Sequence, residues 1–235
     1  MAKKVLFNDD PNWTYEPVLL PDGFRFYNRY FYKRKRAHRI PLDDPKAEVL
    51  SGYVLIEKDL RSCKIWLESI IKMASSDERH VNATRSIANI ENRELFNTVK
   101  GLFVAALTIY GKCFTSCEGR RVKLENKNLS EDFHETHDEA MAFRHNFAAH
   151  SGARKLEYSQ VILLLNPSRR KNQLLRMSTE LLQPDSWCLE STKKCIDLVE
   201  HARSFCIEKR RVLSNKVLAE AIEKGVDYWY AKSKI

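Results

Sequence analysis

Arg144-His145-Asn146-Phe147-Ala148-Ala149-His150 puts a guanidinium and an imidazole six positions apart. An imidazole with an ordinary pKa near 6.5 can take or give a proton at neutral pH. A guanidinium is a permanent planar cation that clamps a phosphate with two N–H groups. The pair suits proton transfer beside a phosphate. On an ideal helix the two residues fall about 60° to either side of an apolar stripe of Phe133, Thr136, Ala140, Phe143 and Phe147, so they stand roughly 120° apart. One straight helix cannot bring both tips to one phosphate without a bend or a second subunit. His137, seven residues before Arg144 on the same side of the helix, is a candidate neighbour in the same cleft.

A second group is electrostatic. Residues 25–39 hold Arg25, Arg29, Lys33, Arg34, Lys35, Arg36 and Arg39 and no acid, interleaved with Phe26, Tyr27, Tyr30, Phe31 and Tyr32. Cations for phosphates with rings for base stacking are what single-stranded RNA binders use, and Arg29, Lys33, Arg34 and Arg36 are the candidate phosphate contacts. The plainer alternative is that the rings dock an irregular arm and the cations are only solvated. Cys113, Cys117, His134 and His137 mimic a zinc pattern, but two residues between the histidines are too few for the usual spacing, and His-Glu-Thr-His lacks the metalloprotease spacing. No metal or other cofactor is expected.

The elements that must carry these residues follow from periodicity. Leu50, Val54, Ile56, Leu60, Ile65, Leu67 and Ile70 recur in threes and fours and predict an amphipathic helix from Val49. A more apolar helix is predicted over 91–114. Ser130 as N-cap, Glu131 and Asp132 in the first turn and Gly152 at the end mark a third helix over 130–152. Period-two patterning on both sides of Pro167–Lys171 predicts a β-hairpin over about 156–182. Pro184-Asp185 then starts a long helix that runs toward Lys224, before Gly225. Pro11, Pro17, Pro21, Pro41 and Pro45 crowd the start, which predicts an irregular N-terminal arm over 1–48 ahead of a mainly α domain over 49–235. Tyr228-Trp229-Tyr230 is read as packing or a partner surface.

The chain has 235 residues with 40 Lys+Arg against 31 Asp+Glu, a net charge of +9, which favours a polyanionic partner. No run of 18 apolar residues exists and no apolar leader follows the first lysines, so a cytoplasmic protein with no membrane partner is expected. Six irregularly spaced cysteines are read as reduced thiols.

Arg144-x5-His150, with a polar residue directly after the Arg and an Ala-His-Ser ending, resembles the signature of the HEPN superfamily, in particular its abortive-infection and toxin branches. The helix-rich span from Val49 to Leu213 is similar in layout to that fold, a helical bundle. The resemblance implies a metal-independent endoribonuclease, a toxin or antiphage-defence effector, that leaves 2′,3′-cyclic phosphate and 5′-OH ends. It implies His150 as the proton-transfer group, Arg144 as the clamp on the phosphorane, and His145 or Asn146 as orienting groups. It also implies RNA as substrate, a homodimer in which two motifs face one another, and an antitoxin or regulatory protein as a further partner. The branch silenced by nucleotidylation has a Tyr two residues after the His; here Ser151-Gly152 follows, so that control is not expected. A non-catalytic helical RNA- or nucleotide-binding protein is the alternative.

Overall fold

A computed structural model describes residues 5–7, 10–75, 93–145, 158–167, 175–182 and 188–233. The protein is mainly helical, with small antiparallel sheets. Its chain divides into two compact units, Met1–Ala47 with Ser214–Ile235, and Glu48–Leu213.

The second unit is built on α1 (Pro45–Ser75), α2 (Arg93–Cys113), α3 (His134–Phe143) and α4 (Leu189–Glu223), the first and last of which continue across the boundary. Ile56, Leu60, Cys63, Leu67, Ile70 and Ala74 line one face of α1 at alternating steps of four and three, and are at most 1% exposed. The predicted stripe is turned slightly, since Val54 and Ile65 are exposed. Val99, Phe103, Ala106, Tyr110 and Cys113 of α2 and Cys195, Leu198, Val199, Ala202 and Cys206 of α4 complete the core. Glu57 is also buried there, and Arg203 Nε and Arg210 Nη1 of α4 donate to its two oxygens at 2.9 and 3.3 Å. Arg120, 9% exposed, donates from Nη2 to the Lys112 and Thr115 carbonyls at 2.7 and 3.1 Å, so a cation caps the negative end of α2.

The predicted hairpin is β5 (Tyr158–Leu164) and β6 (Arg176–Leu182), paired antiparallel with Leu163 opposite Met177. Helix α4 ends at Glu223, and Gly225, whose φ of 78° favours glycine, turns the chain into a short α5 (Val226–Lys232).

The irregular N-terminal arm is a misreading. Val5–Phe7 (β1), Asp10–Leu19 (β2), Phe26–Tyr32 (β3) and Lys35–Arg36 (β4) form an antiparallel sheet in sequence order. Pro11 and Pro17 fall where such a sheet tolerates proline. Leu20 N–H donates to Arg25 O and Lys33 N–H to Asn12 O, both at 2.7 Å, so even-numbered residues of β2 make the ladder to β3. Pro17 is odd, and its nitrogen faces the β1 side beyond Tyr15, the last residue that β1 reaches. Pro11 sits in the bulge where the β1–β2 register shifts. The domain boundary is corrected too. The segment from Ser214, expected to belong with the bundle, groups with the sheet, through a His38–Tyr230 edge contact at 5.2 Å and a Lys46–Glu220 ion pair.

Candidate active and RNA-binding sites

Helix α3 starts from a 3-10 turn at Glu131–Phe133 behind Ser130 and widens into a π turn at Arg144–His145, a feature often found at functional sites. Its buried residues are His137 and Ala140, so the face toward the core is turned from the predicted phenylalanine stripe toward His137 and Arg144. Two partners on α2 explain this. Tyr110 Oη and His137 Nδ1 share a hydrogen bond of 2.8 Å, and the imidazole lies 4.5 Å from the Phe114 ring. A polar ring can therefore face the core. Three residues before Phe114 comes the second partner, Gly111, a buried glycine inside α2. A Cβ built there would stand 2.5 Å from Arg144 Nε, with Cδ nearer still. The missing side chain is the space that Arg144 occupies.

Arg144 is half-buried in this seat, and His145 beside it is exposed. Asn146 and His150 lie outside the described residues. His137 is 7% exposed and bonded to Tyr110, so its assignment as a substrate-contacting residue is corrected: its ring is buried where a phosphate does not reach. Burial holds its pKa below the ordinary histidine value, opposed in part by the nearby Asp138 carboxylate and helped slightly by His134. The seam expected to join two subunits is also used internally. Phe133 stacks on His201 at 4.6 Å and Phe143 meets Phe103 edge-on at 6.3 Å.

Cys113 is fully buried, its Sγ bonded to the Ile109 carbonyl, and His137 is held by Tyr110. Among the described residues no three His, Cys, Asp or Glu side chains converge as a metal cluster. All six cysteines are free.

In the first unit, alternation separates the basic-aromatic stretch into faces. Trp13 meets Tyr32 at 5.1 Å and Tyr15 meets Tyr30 at 6.1 Å on one face. Arg29 lies opposite Glu16, and Arg36 opposite Phe31, on the other. Arg29 Nη1 donates to Glu16 Oε1 at 3.1 Å, while its Nε–H has no protein acceptor. Tyr27 first, then Glu16, raises the pKa of this guanidinium, holding the charge in place. Arg29, Arg36, Arg39, His38, Tyr27 and Tyr30 help line a cavity of about 290 Å³. Lys33 and Arg34 form the two-residue turn between β3 and β4, with φ of 44° and 70°.

No family model, curated protein or solved structure matches this chain. Function therefore rests on the residues themselves. Among the described residues, no helix is long and apolar enough to cross a membrane. Sequence reasoning missed Tyr110, Gly111 and Arg120. A glycine within an apolar helix is the signal that points to Gly111, although Gly101 of the same helix carries it too and a Cβ there would meet nothing within 4 Å. Nothing in the pattern around Tyr110 or Arg120 points to their partners.

Proposed function

We propose that the protein is a HEPN-like, metal-independent endoribonuclease that cuts RNA to 2′,3′-cyclic phosphate and 5′-OH ends and serves as a toxin or antiphage effector. The observation that carries this reading is the seat of Arg144 on Gly111, where a signature residue is held half-buried at a widened turn. A guanidinium fixed in that way is preorganised for charge that builds up on a phosphorane. In the reaction the ribose 2′-oxygen forms a bond to phosphorus as the bond to the 5′-oxygen breaks. His150 takes the 2′-OH proton or supplies one to the leaving oxygen, and a second copy's motif supplies the other transfer. His145 and Asn146 orient the phosphate or the imidazole, and His137 acts indirectly, by fixing α3 against Tyr110.

Arg29 and Arg36, sharing a face and a cavity, and Lys33 and Arg34 at the turn hold the RNA backbone in this reading. A two-residue turn with two positive φ angles favours Asn-Gly, and long basic side chains there carry a conformational cost. Cations kept at that position support a role in contacting phosphate. The same cavity favours a second reading, a non-catalytic RNA- or nucleotide-binding protein.

Labelled RNA incubated with purified protein in EDTA, followed by end-group analysis, separates the two. Cleavage to cyclic phosphate ends that is lost in His150→Ala and reduced about 10- to 100-fold in Arg144→Lys is expected. RNA that is bound but never cut, including total cellular RNA, overturns the enzyme in favour of the binder.

A further inference from the structure

The cavity in the sheet unit is lined by Arg29, Arg36 and Arg39, with Tyr27 and His38 beside them. Tyr27, Arg29 and Phe31 alternate onto one face of β3, and Arg36 pairs with Phe31, so the first two guanidiniums share a side of the sheet. These cations are not equally engaged. Arg29 Nη1 donates to Glu16 at 3.1 Å, whereas Arg36 and Arg39 are exposed and no carboxylate among the described residues pairs with them. His38, whose ring meets Tyr230 edge-on at 5.2 Å, adds a ring nitrogen. No acid lines the cavity, so three guanidiniums less the Glu16 carboxylate leave a net charge of +2.

A phosphate inside an RNA strand is a diester with one negative charge, while a terminal phosphate carries about −1.5 to −2 near pH 7 and three free oxygens. The second matches the charge of this cavity, and two unpaired guanidinium forks match its oxygens. At about 290 Å³ the cavity lies at the small end of the roughly 300–1,000 Å³ of ligand pockets, with room for one nucleotide but not for a strand that runs on at both ends. We propose that it is a terminal-phosphate site, which takes the phosphomonoester of a nucleotide, free or at the end of an RNA, in preference to an internal diester. Tyr27, on the face of Arg29, offers a ring for the base. Lys33 and Arg34 at the β3–β4 turn lie outside the cavity wall and remain available to the diester backbone. The proposal rests on the reading of the sheet as an RNA- or nucleotide-binding surface and not on cleavage by the α3 motif.

The test is calorimetric titration of the full chain at about 0.1 M salt with 5′-AMP and with its methyl ester, which keeps the base and loses one charge. A second arm uses short 2′-O-methyl RNA oligonucleotides, which lack the attacking hydroxyl, with a 5′-phosphate, a 3′-phosphate or hydroxyl ends. AMP is expected to bind at least ~10-fold more tightly than its ester, the scale of one charge-assisted hydrogen bond. Arg39→Gln and Arg36→Gln remove exposed side chains without ion pairs, so both keep the fold, and each is expected to cut that ratio to about 3-fold or less. Lys35→Gln is the control, because its pairing with Tyr32 puts it on the opposite face, and it is expected to leave the ratio unchanged. Preference for a phosphorylated oligonucleotide over one with hydroxyl ends assigns the site to RNA ends; a preference confined to AMP assigns it to a free nucleotide. Equal affinity for AMP and its ester overturns the proposal, as does a ratio that survives both arginine variants or falls as far in Lys35→Gln. Oligonucleotides that bind whatever their ends, with no binding of AMP, overturn the terminal-phosphate site and leave the RNA-binding reading in place. AMP bound in preference to its ester, with no oligonucleotide bound, does the reverse, and a chain that binds neither overturns both.

Discussion

Gly111→Ala tests the seat of Arg144 without altering the charge or shape of any proposed catalytic group. The new Cβ would stand 2.5 Å from Arg144 Nε, where ordinary contact begins at 3.4 Å, so the guanidinium must retreat by at least 0.9 Å (3.4 minus 2.5). The obstructing atoms belong to a flexible side chain, so Arg144 moves and the two helices stay in place. Alanine inside a helix is also favoured over glycine by about 0.8–1 kcal/mol, so the variant is expected to be at least as stable as wild type. A misplacement of about 1 Å costs on the order of 10²-fold in rate, equivalent to about 2.7 kcal/mol of transition-state stabilisation. The expected result is a thermal midpoint unchanged or raised by ~2–4 °C together with a ~100-fold fall in kcat/KM on labelled RNA. Undiminished cleavage would show that the seat at Gly111 is not the catalytic position. Destabilisation by several kcal/mol would show that Arg144 cannot give way and that the glycine is there for helix packing.

Replacing Arg29, Lys33, Arg34 and Arg36 together with Ala is expected to flatten the slope of log K against log salt for RNA by up to about 3 to 4 units if all touch phosphate; an unchanged slope assigns them to the fold. Lys33→Asn/Arg34→Gly relieves two left-handed residues and should raise the midpoint of thermal unfolding while weakening RNA binding, whereas tighter binding would remove the turn from the interface. Burial lowers the His137 pKa in the fold, so between that value and the ordinary 6.5 the unfolded chain binds the extra proton. Its contribution to stability is complete above pH 6.5 and is lost as pH falls toward the folded pKa; a ring that titrates at or above 6.5 by NMR contradicts this. Cys188 is exposed, and hydrogen bonds from the Ser191 side chain and then its backbone lower its thiol pKa, whereas burial raises Cys113 and Cys206 to about 12 and Cys195 to about 11. Mass spectrometry after brief iodoacetamide treatment should find Cys188 modified well ahead of those three, and equal labelling would contradict the core.

The sequence read well where one periodicity dominated. The threes and fours of α1, the two alternating strands of the hairpin and the glycine after α4 are local signals, and local signals do not need knowledge of a partner element. The N-terminal sheet was missed because prolines were counted without their parity. Pro17 is harmless only because its nitrogen faces away from β3, on the β1 side but beyond Tyr15, where the β1 pairing ends, a fact fixed by the registers with Val5 and Asn28. The burial of α3 was misjudged for a related reason. Apolar patterning favours Phe143 over His137, but a hydroxyl 27 positions earlier and a missing side chain at Gly111 let an imidazole and a guanidinium face inward. Chemistry at a site is legible as residue types, while the groups that make those residues tolerable come from another helix.

The Glu57 carboxylate, bound from α4 by Arg203 and Arg210, has a consequence for handling the protein. Its side chain is 8% exposed and those of the two arginines are 24% and 36%, so added ions screen this cluster much less than they screen the Lys33–Arg34 turn. Removing both arginines would leave the buried carboxylate largely uncompensated, which costs about 3–5 kcal/mol, so the cluster also fixes the axial register of α1 against α4. Ionic strength therefore acts on two parts of the molecule to different degrees. If the basic sheet holds RNA as proposed, a rise from about 50 to 500 mM salt is expected to strip it while the helical unit keeps its melting point, so salt alone would free the protein of RNA and a return to low salt would leave its fold intact.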